Sequence, residues 1–119
     1  MKKADKKKFI KIRIQVGKNF YFGPGKVLLL QTISLTGSIS SAAKEIGMSY
    51  KKAWRLVKEI NDASSKKIVI TNTGGKGAGG AIISEEGLKF ISLYKKIENK
   101  IILDTKKEKN LLEKIFLEK

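Results

Sequence analysis

Hydrophobic and polar residues alternate near the start of the chain. Isoleucine or valine occupies every second position from Ile10 to Val16, with Lys11, Arg13 and Gln15 between them. A period of two is typical of a strand that buries one face. The sequence Gly-Lys-Asn follows, which favours a turn, and Phe-Tyr-Phe then offers a return strand. The pattern predicts an N-terminal β-hairpin.

Apolar residues recur every three to four positions after this hairpin, and this spacing predicts three helices. We expect them at about 24–36, 38–46 and 49–62. The first begins with a proline, whose missing N–H has no helical partner at that position. The apolar positions expected in the core are Val27, Leu28, Leu30, Ile33, Leu35, Ala42, Ala43, Ile46, Ala53, Leu56, Val57 and Ile60.

The second and third predicted helices are separated by a short turn. Gly47 is suited to end a helix because glycine adopts the left-handed conformation without steric cost. Ser49 is placed to cap the next helix with its hydroxyl. On that helix Lys51, Arg55 and Lys58 lie opposite the apolar face. This is the pattern of a helix-turn-helix, in which the second helix enters the major groove of DNA.

A glycine-rich loop follows the third helix. The segments 68–71 and 81–83 read as strands, and the loop 73–80 between them contains Lys76 and Gly77. A hairpin directly after a recognition helix is a wing, in which glycines let backbone N–H groups approach phosphates closely. The loop also contains a GxGxxG arrangement, but a dinucleotide site requires such glycines to open a helix, and a strand follows here.

The chain ends in helical sequence. Ser84 is expected to cap a long helix through about residue 102, with Glu85 and Glu86 favourable in its first turn. The apolar stripe expected on this helix comprises Leu88, Ile91, Tyr94, Ile97 and Ile101. The polar segment 105–109 separates it from a second apolar patch, comprising Leu111, Leu112, Ile115, Phe116 and Leu117. We expect this patch and the first helix to form a homodimer interface.

Composition and net charge restrict the classes of function that are compatible with this chain. The 119 residues carry a net charge of +15, and residues 1–60 hold 14 Lys and Arg against three Asp and Glu. Such a field attracts polyanions, although composition alone does not separate nucleic acid from an anionic membrane surface. The absence of Cys and His removes the usual catalytic and zinc-binding side chains, so we expect no enzyme, cofactor or metal. No apolar run is long enough for a membrane span, and Lys11, Arg13 and Gln15 interrupt the segment that a signal peptide would need. These features predict a cytoplasmic protein.

Three separated motifs in the sequence resemble those of one protein family. GSISSAA at 37–43, GMSYKKAW at 47–54 and TGGKGAGG at 73–80 are similar to the N-terminal DNA-binding domain of the ModE family, the molybdate-responsive transcriptional regulators. Ala78 stands where the family pattern has glycine. The resemblance spans about residues 10–100 and implies a winged helix-turn-helix that binds double-stranded DNA. Family members continue into molybdate-binding domains, which we expect to be absent from this chain.

The fold class predicted is therefore α+β: an N-terminal β-hairpin, a helix-turn-helix, a glycine-rich wing and a long C-terminal helix. We expect a flexible basic tail at 1–8, a DNA-binding domain at 9–103 and a helical extension at 104–119. The residues predicted to contact DNA are Ser49, Tyr50, Lys51, Lys52, Arg55, Lys58, Lys76 and Gly77.

The individual roles of these residues differ. Arg55 is expected to contact a base, because its planar fork can pair with both guanine acceptors, with a phosphate contact as the alternative. Lys51 and Lys52 are expected to make phosphate contacts or mixed contacts. For Tyr50 a DNA contact and packing on the neighbouring helix stay open. Trp54, the single tryptophan, is expected in the core. The alternative functions are an architectural nucleic-acid binder and a protein-interaction winged helix.

Overall fold

A computed structural model describes residues 9–72 and 79–118. The predicted tail at 1–8 and most of the predicted wing loop lie outside these ranges. Within them, the order of elements alternates small hairpins with helices. The elements are β1 (Ile14–Val16), β2 (Phe20–Phe22), α1 (Pro24–Thr36), α2 (Ile39–Ile46), α3 (Tyr50–Ala63), β3 (Val69–Asn72), β4 (Gly80–Ile83), α4 (Glu85–Asp104) and α5 (Lys106–Leu117).

The predicted N-terminal hairpin is confirmed, but it is shorter than the alternation suggested. β1 and β2 pair antiparallel, with Ile14 opposite Phe22 and Val16 opposite Phe20. Ile10 and Ile12 precede β1 and are half-buried, as the alternation predicted. Their backbone, however, is not part of the strand pairing. Val16 is 38% exposed and is not a core residue.

Caps define the helices as the sequence predicted. Gly37 and Gly47 end α1 and α2 in the left-handed conformation, with φ of 81° and 72°. The hydroxyl of Ser38 accepts from the Ser41 N–H at the start of α2. The hydroxyl of Ser49 accepts from the Lys52 N–H at 3.1 Å and so caps α3. The two serine caps thus satisfy one orphan backbone N–H each, and Gly47 and Ser49 together define the turn between α2 and α3.

Helix α1 is buried on most of its circumference. Leu29, Leu30 and Ile33 are fully inaccessible to solvent. Leu28 and Leu35 were expected in the core, but they are 49% and 86% exposed. These two residues are seven positions apart and therefore lie on the same side of the helix. The periodicity predicted the helix correctly, but it placed these two leucines in the core wrongly. The reason is that a helix packed on several sides has no single apolar stripe.

The second hairpin is anchored to the end of α1. Strands β3 and β4 pair antiparallel, from Val69 opposite Ile83 to Asn72 opposite Gly80. The Ala81 N–H donates to the Gly37 carbonyl oxygen at 2.8 Å, which joins β4 to the end of α1. This contact holds the hairpin beside the helix-turn-helix.

Helix α4 packs across the hairpins through fewer residues than expected. Ile91 and Tyr94 are buried, and the Tyr94 hydroxyl donates to the Ile12 carbonyl oxygen at 2.7 Å. Leu88 and Ile97 of the predicted stripe are 49% and 42% exposed. The stripe was wrong there because Gly87 lets the helix approach β3 and β4 so closely that the glycine takes an inward position. Glu98 is also buried, which the apolar pattern did not predict.

Helix α5 follows α4 after Thr105 and buries none of its residues. The Lys109 ammonium lies 3.4 Å from the centre of the Phe9 ring, so α5 contacts the start of the described chain. Over residues 9–72 and 79–118, no helix is both long enough and apolar enough to span a membrane.

Candidate nucleic-acid interface

The exposed half of α3 presents the basic residues predicted to contact DNA. Ala53, Val57 and Ile60 are buried against the core, and a helix that buries this side turns the opposite side to solvent. Lys51, Lys52, Arg55 and Lys58 are all exposed there. The helical repeat of 3.6 residues aligns Lys51, Arg55 and Lys58 directly opposite the core, while Lys52 lies to one flank. We call these three aligned residues the basic ridge.

Two cations of the basic ridge are paired with carboxylates one helical turn further along. Arg55 donates to the Glu59 carboxylate at 3.0 Å, and Lys58 to that of Asp62 at 3.3 Å. All four side chains are at least 45% exposed, so each pair contributes about 0.2–1 kcal/mol at most. A phosphate can therefore replace either carboxylate at small cost. The sequence analysis missed these pairs, although the four-residue spacing could have indicated them.

The aromatic residues of α3 lie toward the wing. Tyr50 is 55% exposed and borders a recess with Ile39 of α2 and with both strands of the second hairpin. Trp54 borders the same recess and is 45% exposed. The expectation of a core tryptophan is therefore wrong. Ala53 and Val57 fill the inward positions. Trp54 is rotated by one residue from Ala53 around the helix and therefore faces the gap between α3 and the wing.

An asparagine that the sequence analysis did not single out fixes the wing relative to α3. The Asn61 side-chain oxygen accepts from the N–H groups of Ile68 and Val69, at 2.9 and 3.0 Å. Its side-chain nitrogen donates to the Val69 carbonyl oxygen at 3.0 Å. One amide therefore satisfies three backbone groups at the start of β3. The available signal was its position on the same side of the helix as Trp54 and Val57, where the pattern is otherwise apolar.

The start of α4 is joined to the segment just before β3. The Ser84 hydroxyl caps α4 by accepting from the Gly87 N–H at 3.1 Å, as predicted, and it donates to the Lys67 carbonyl oxygen at 2.7 Å. The base of the wing is therefore held on both sides. Lys76 and Gly77, predicted to contact phosphates, lie outside the described residues.

The surface offers little for metal binding. Within residues 9–72 and 79–118, no group of three or more Asp and Glu side chains is close enough to hold a metal ion. An exposed, basic helix beside an anchored hairpin is instead the arrangement of proteins that insert a helix in a groove and flank it with a wing. The fold is a winged helix-turn-helix.

Relatives with known names share this domain. The dual transcriptional regulator ModE of Escherichia coli K12 is 40% identical over 85 residues, which is 71% of this chain and 32% of that protein. MopB of Rhodobacter capsulatus, a molybdenum-pterin-binding protein, is 45% identical over 76 residues, or 64% of this chain and 28% of that protein. ModE of Haemophilus influenzae is 34% identical over 89 residues, or 75% of this chain and 35% of its own length.

These matches confirm the predicted resemblance, and this chain carries a domain of the ModE family. The matched segment covers about a third of each of these relatives. No protein-family profile matches the chain.

Proposed function

We propose that this protein is a sequence-specific DNA-binding transcriptional regulator. The observation that carries the proposal is the basic ridge of Lys51, Arg55 and Lys58, exposed on the second helix of a helix-turn-helix beside a wing. The homology to proteins named as transcriptional regulators supports it. The net charge of +15 would speed association with any polyanion, whereas groove insertion would supply the sequence preference.

In this proposal the side chains at the start and along the exposed side of α3 contact different parts of the DNA. Arg55 would read a guanine, since its guanidinium is bidentate and 59% exposed. Lys51, Lys52 and Lys58 would contact phosphates on either side of the groove. The Ser49 hydroxyl, which accepts one backbone N–H as a cap, keeps its own hydrogen for a phosphate oxygen. The Tyr50 hydroxyl would donate at the edge of the groove.

The wing would contact the DNA backbone or the adjacent minor groove. Asn61 holds the base of the wing beside α3, and the Gly37 carbonyl holds it beside the end of α1. In the loop of the wing, Lys76 would supply a charge and the N–H of Gly77 a donor to phosphate.

A homodimer would suit a palindromic operator. Leu28 and Leu35 form one exposed apolar strip on α1. Helix α5 exposes a second apolar surface, comprising Leu111, Leu112, Ile115, Phe116 and Leu117. We place the DNA-binding domain at 9–103, the dimerising extension at 104–119 and the protein in the cytoplasm, where its DNA target is.

The test is a selection of genomic fragments by the purified protein at near-physiological salt, with light scattering on the same sample. An enriched palindromic motif and a dimer mass support the proposal. Uniform, salt-sensitive binding with no enriched motif overturns sequence specificity and favours an architectural nucleic-acid binder. Absence of duplex binding overturns DNA recognition altogether and favours a winged helix that docks on protein.

A further inference from the structure

Trp54 is a large aromatic side chain exposed at the gap between α3 and the wing. Nearly half of its surface, 45%, is open to solvent, although a buried position lies directly before it at Ala53. An indole buries up to about 250 Å² when it is covered and is among the side chains most enriched at binding surfaces. Leaving it exposed forfeits that stabilisation in the free protein. A role in packing alone does not account for its position.

The surroundings of Trp54 indicate what would cover it. On one side the indole borders a recess of about 180 Å³ with Tyr50, Thr71 and Gly80, which belong to α3 and to the stem of the wing. On the other side it borders a second recess with Lys58 and Lys67. An apolar ring thus lies between a hydroxyl-bearing wall and two ammonium groups.

This combination matches one strand of a DNA duplex. Phosphates are separated by deoxyribose carbons, so a strand presents alternating anionic and apolar groups to a protein. Lys58 and Lys67 provide cations on one side of the ring, and the Lys58 ammonium is held by an exposed pair with Asp62. Asp62 lines the same recess, and its carboxylate faces Lys58 rather than standing alone. The charge of this surface is therefore complementary to a polyanion.

We infer that Trp54 is a DNA-contacting residue, covered on binding by the apolar part of the strand that crosses between the recognition helix and the wing. The apolar groups that such a strand offers are deoxyribose carbons and the thymine methyl at the major-groove edge. Tyr50 extends the same contact by one helical turn and donates its hydroxyl. This inference rests on the proposed function and adds to it a contact that carries no charge.

The first experiment uses Trp54 as its own reporter, because it is the single tryptophan of the chain. Quenching of its fluorescence by the neutral molecule acrylamide is measured on the full chain, free and saturated with a mixed-sequence duplex. Binding is followed independently by the anisotropy of a label on the duplex. The expected result is loss of most of the quenching in the complex. Full quenching in a saturated complex overturns the inference.

The second experiment separates an apolar contact from a charged one. Trp54→Ala is expected to weaken duplex binding about tenfold, with the dependence of log affinity on log salt unchanged, because no counterion is released through an indole. Lys58→Ala is expected to lower the same slope by about one unit. A reduced slope for Trp54→Ala would show an indirect effect on the basic ridge and overturn the inference.

Controls exclude a structural cause. Trp54→Phe keeps an aromatic face and is expected to recover part of the lost affinity, with a melting temperature like that of the parent protein. Leu88→Ala removes a side chain of similar exposure, 49%, from α4 and is expected to leave duplex binding unchanged. If Trp54→Phe folds normally but binds no better than Trp54→Ala, the apolar contact is refuted.

The source of the contact is tested by replacing thymine with uracil in the duplex. If the parent protein binds the uracil duplex more weakly than the thymine duplex and Trp54→Ala does not, the contact is with thymine methyl groups. If the parent protein binds both duplexes equally and the indole stays protected from acrylamide, the contact is with deoxyribose. Failure of the proposed function looks different from either result: the anisotropy then reports no binding at any tested concentration. A duplex that binds while the indole stays accessible refutes only the role of Trp54.

Discussion

At the scale of single residues, the recognition surface holds its cations in pairs that are easily exchanged. The carboxylate of Glu59 accepts from Arg55 in the less favourable order along the helix, with the cation nearer the N-terminus. Side-chain exposures of 59% and 45% further weaken the pair through solvent screening. The pair therefore orients the guanidinium without holding it strongly against a competing anion.

Replacing Arg55 tests base recognition. We expect Arg55→Ala to weaken binding to the selected duplex by about 1–3 kcal/mol and to weaken binding to a scrambled duplex less, because a bidentate contact to guanine is lost only on the specific site. Lys52→Ala is the control and should weaken both duplexes alike. Titration of both duplexes with both variants measures the difference. Equal losses for Arg55→Ala would contradict base recognition.

Replacing Glu59 tests the competition between carboxylate and DNA. Since Arg55 must leave Glu59 to reach DNA, Glu59→Gln is expected to raise duplex affinity by a factor of about two to five. Glu85→Gln makes the same change in net charge on α4 and should raise affinity less. Titrations at one fixed salt concentration compare the two variants. Identical gains would mean that only the overall field of the protein matters.

At the scale of elements, a few contacts set how the wing and α4 meet the helix-turn-helix. Asn61 is the clearest case, because one side chain serves three backbone groups of Ile68 and Val69. The hydrogen bond from Ala81 to Gly37 adds a second, independent anchor on the opposite strand of the hairpin. The wing is therefore attached through both of its strands.

Removing the Asn61 amide should loosen this attachment. We expect Asn61→Ala to lower the free energy of unfolding by about 2 kcal/mol, because partly buried N–H and C=O groups lose their partners. Asn61→Asp keeps the acceptor for both N–H groups and should cost less. Denaturant unfolding measures both variants, and hydrogen exchange at Ile68 and Val69 locates the change. Equal losses in the two variants would show that the acceptor is not the important group.

The close approach of α4 depends on Gly87. A Cβ there would lie 2.6 Å from the Ile83 Cγ2 and 3.0 Å from the Ile68 carbonyl oxygen. Gly87→Ala should therefore destabilise the protein by about 1–3 kcal/mol, despite alanine's better helix propensity. Gly25→Ala, in the first turn of α1 with no atom within 4 Å, should be neutral or stabilising. Thermal unfolding of the two variants measures this difference. Similar melting temperatures for both variants would contradict the close contact at Gly87.

At the scale of the whole molecule, the chain is elongated, with extents of 61, 32 and 21 Å. Its radius of gyration of 16.8 Å exceeds the value of about 13.5 Å expected for a compact domain of this length. Helix α5 buries none of its residues and leaves Ile115 and Phe116 about four-fifths exposed. Such a surface on a projecting helix favours association.

The proposed homodimer predicts a change in mass when this surface becomes charged. Ile115→Glu combined with Phe116→Glu should convert a dimer into a monomer, because both carboxylates would have to be desolvated in the interface. Ile82→Lys charges an apolar position on the wing, 61% exposed, and should leave the mass unchanged. Light scattering coupled to size exclusion measures both. A dimer mass for the doubly charged variant would place the interface elsewhere.

Much of this fold could be predicted from the sequence, because the decisive signals are local. Period-two alternation gave the first hairpin, and the three-to-four spacing gave the helices. Ser38, Ser49 and Ser84 cap the helices through hydrogen bonds that reach only three residues along the chain. The left-handed glycines at 37 and 47 end α1 and α2 for an equally local reason.

The sequence by itself therefore determined the order of elements, the helix-turn-helix and the charged face of α3, because caps, periodicity and charge act within one or two turns of chain. Only the tertiary structure decided which side of each element is covered. Trp54 and Leu35 are exposed, Glu98 and Gly87 are inward, and Asn61 binds the first residue of β3, which lies eight positions further along the chain. Burial depends on what packs against an element from elsewhere in the chain, and a local pattern carries no record of that neighbour.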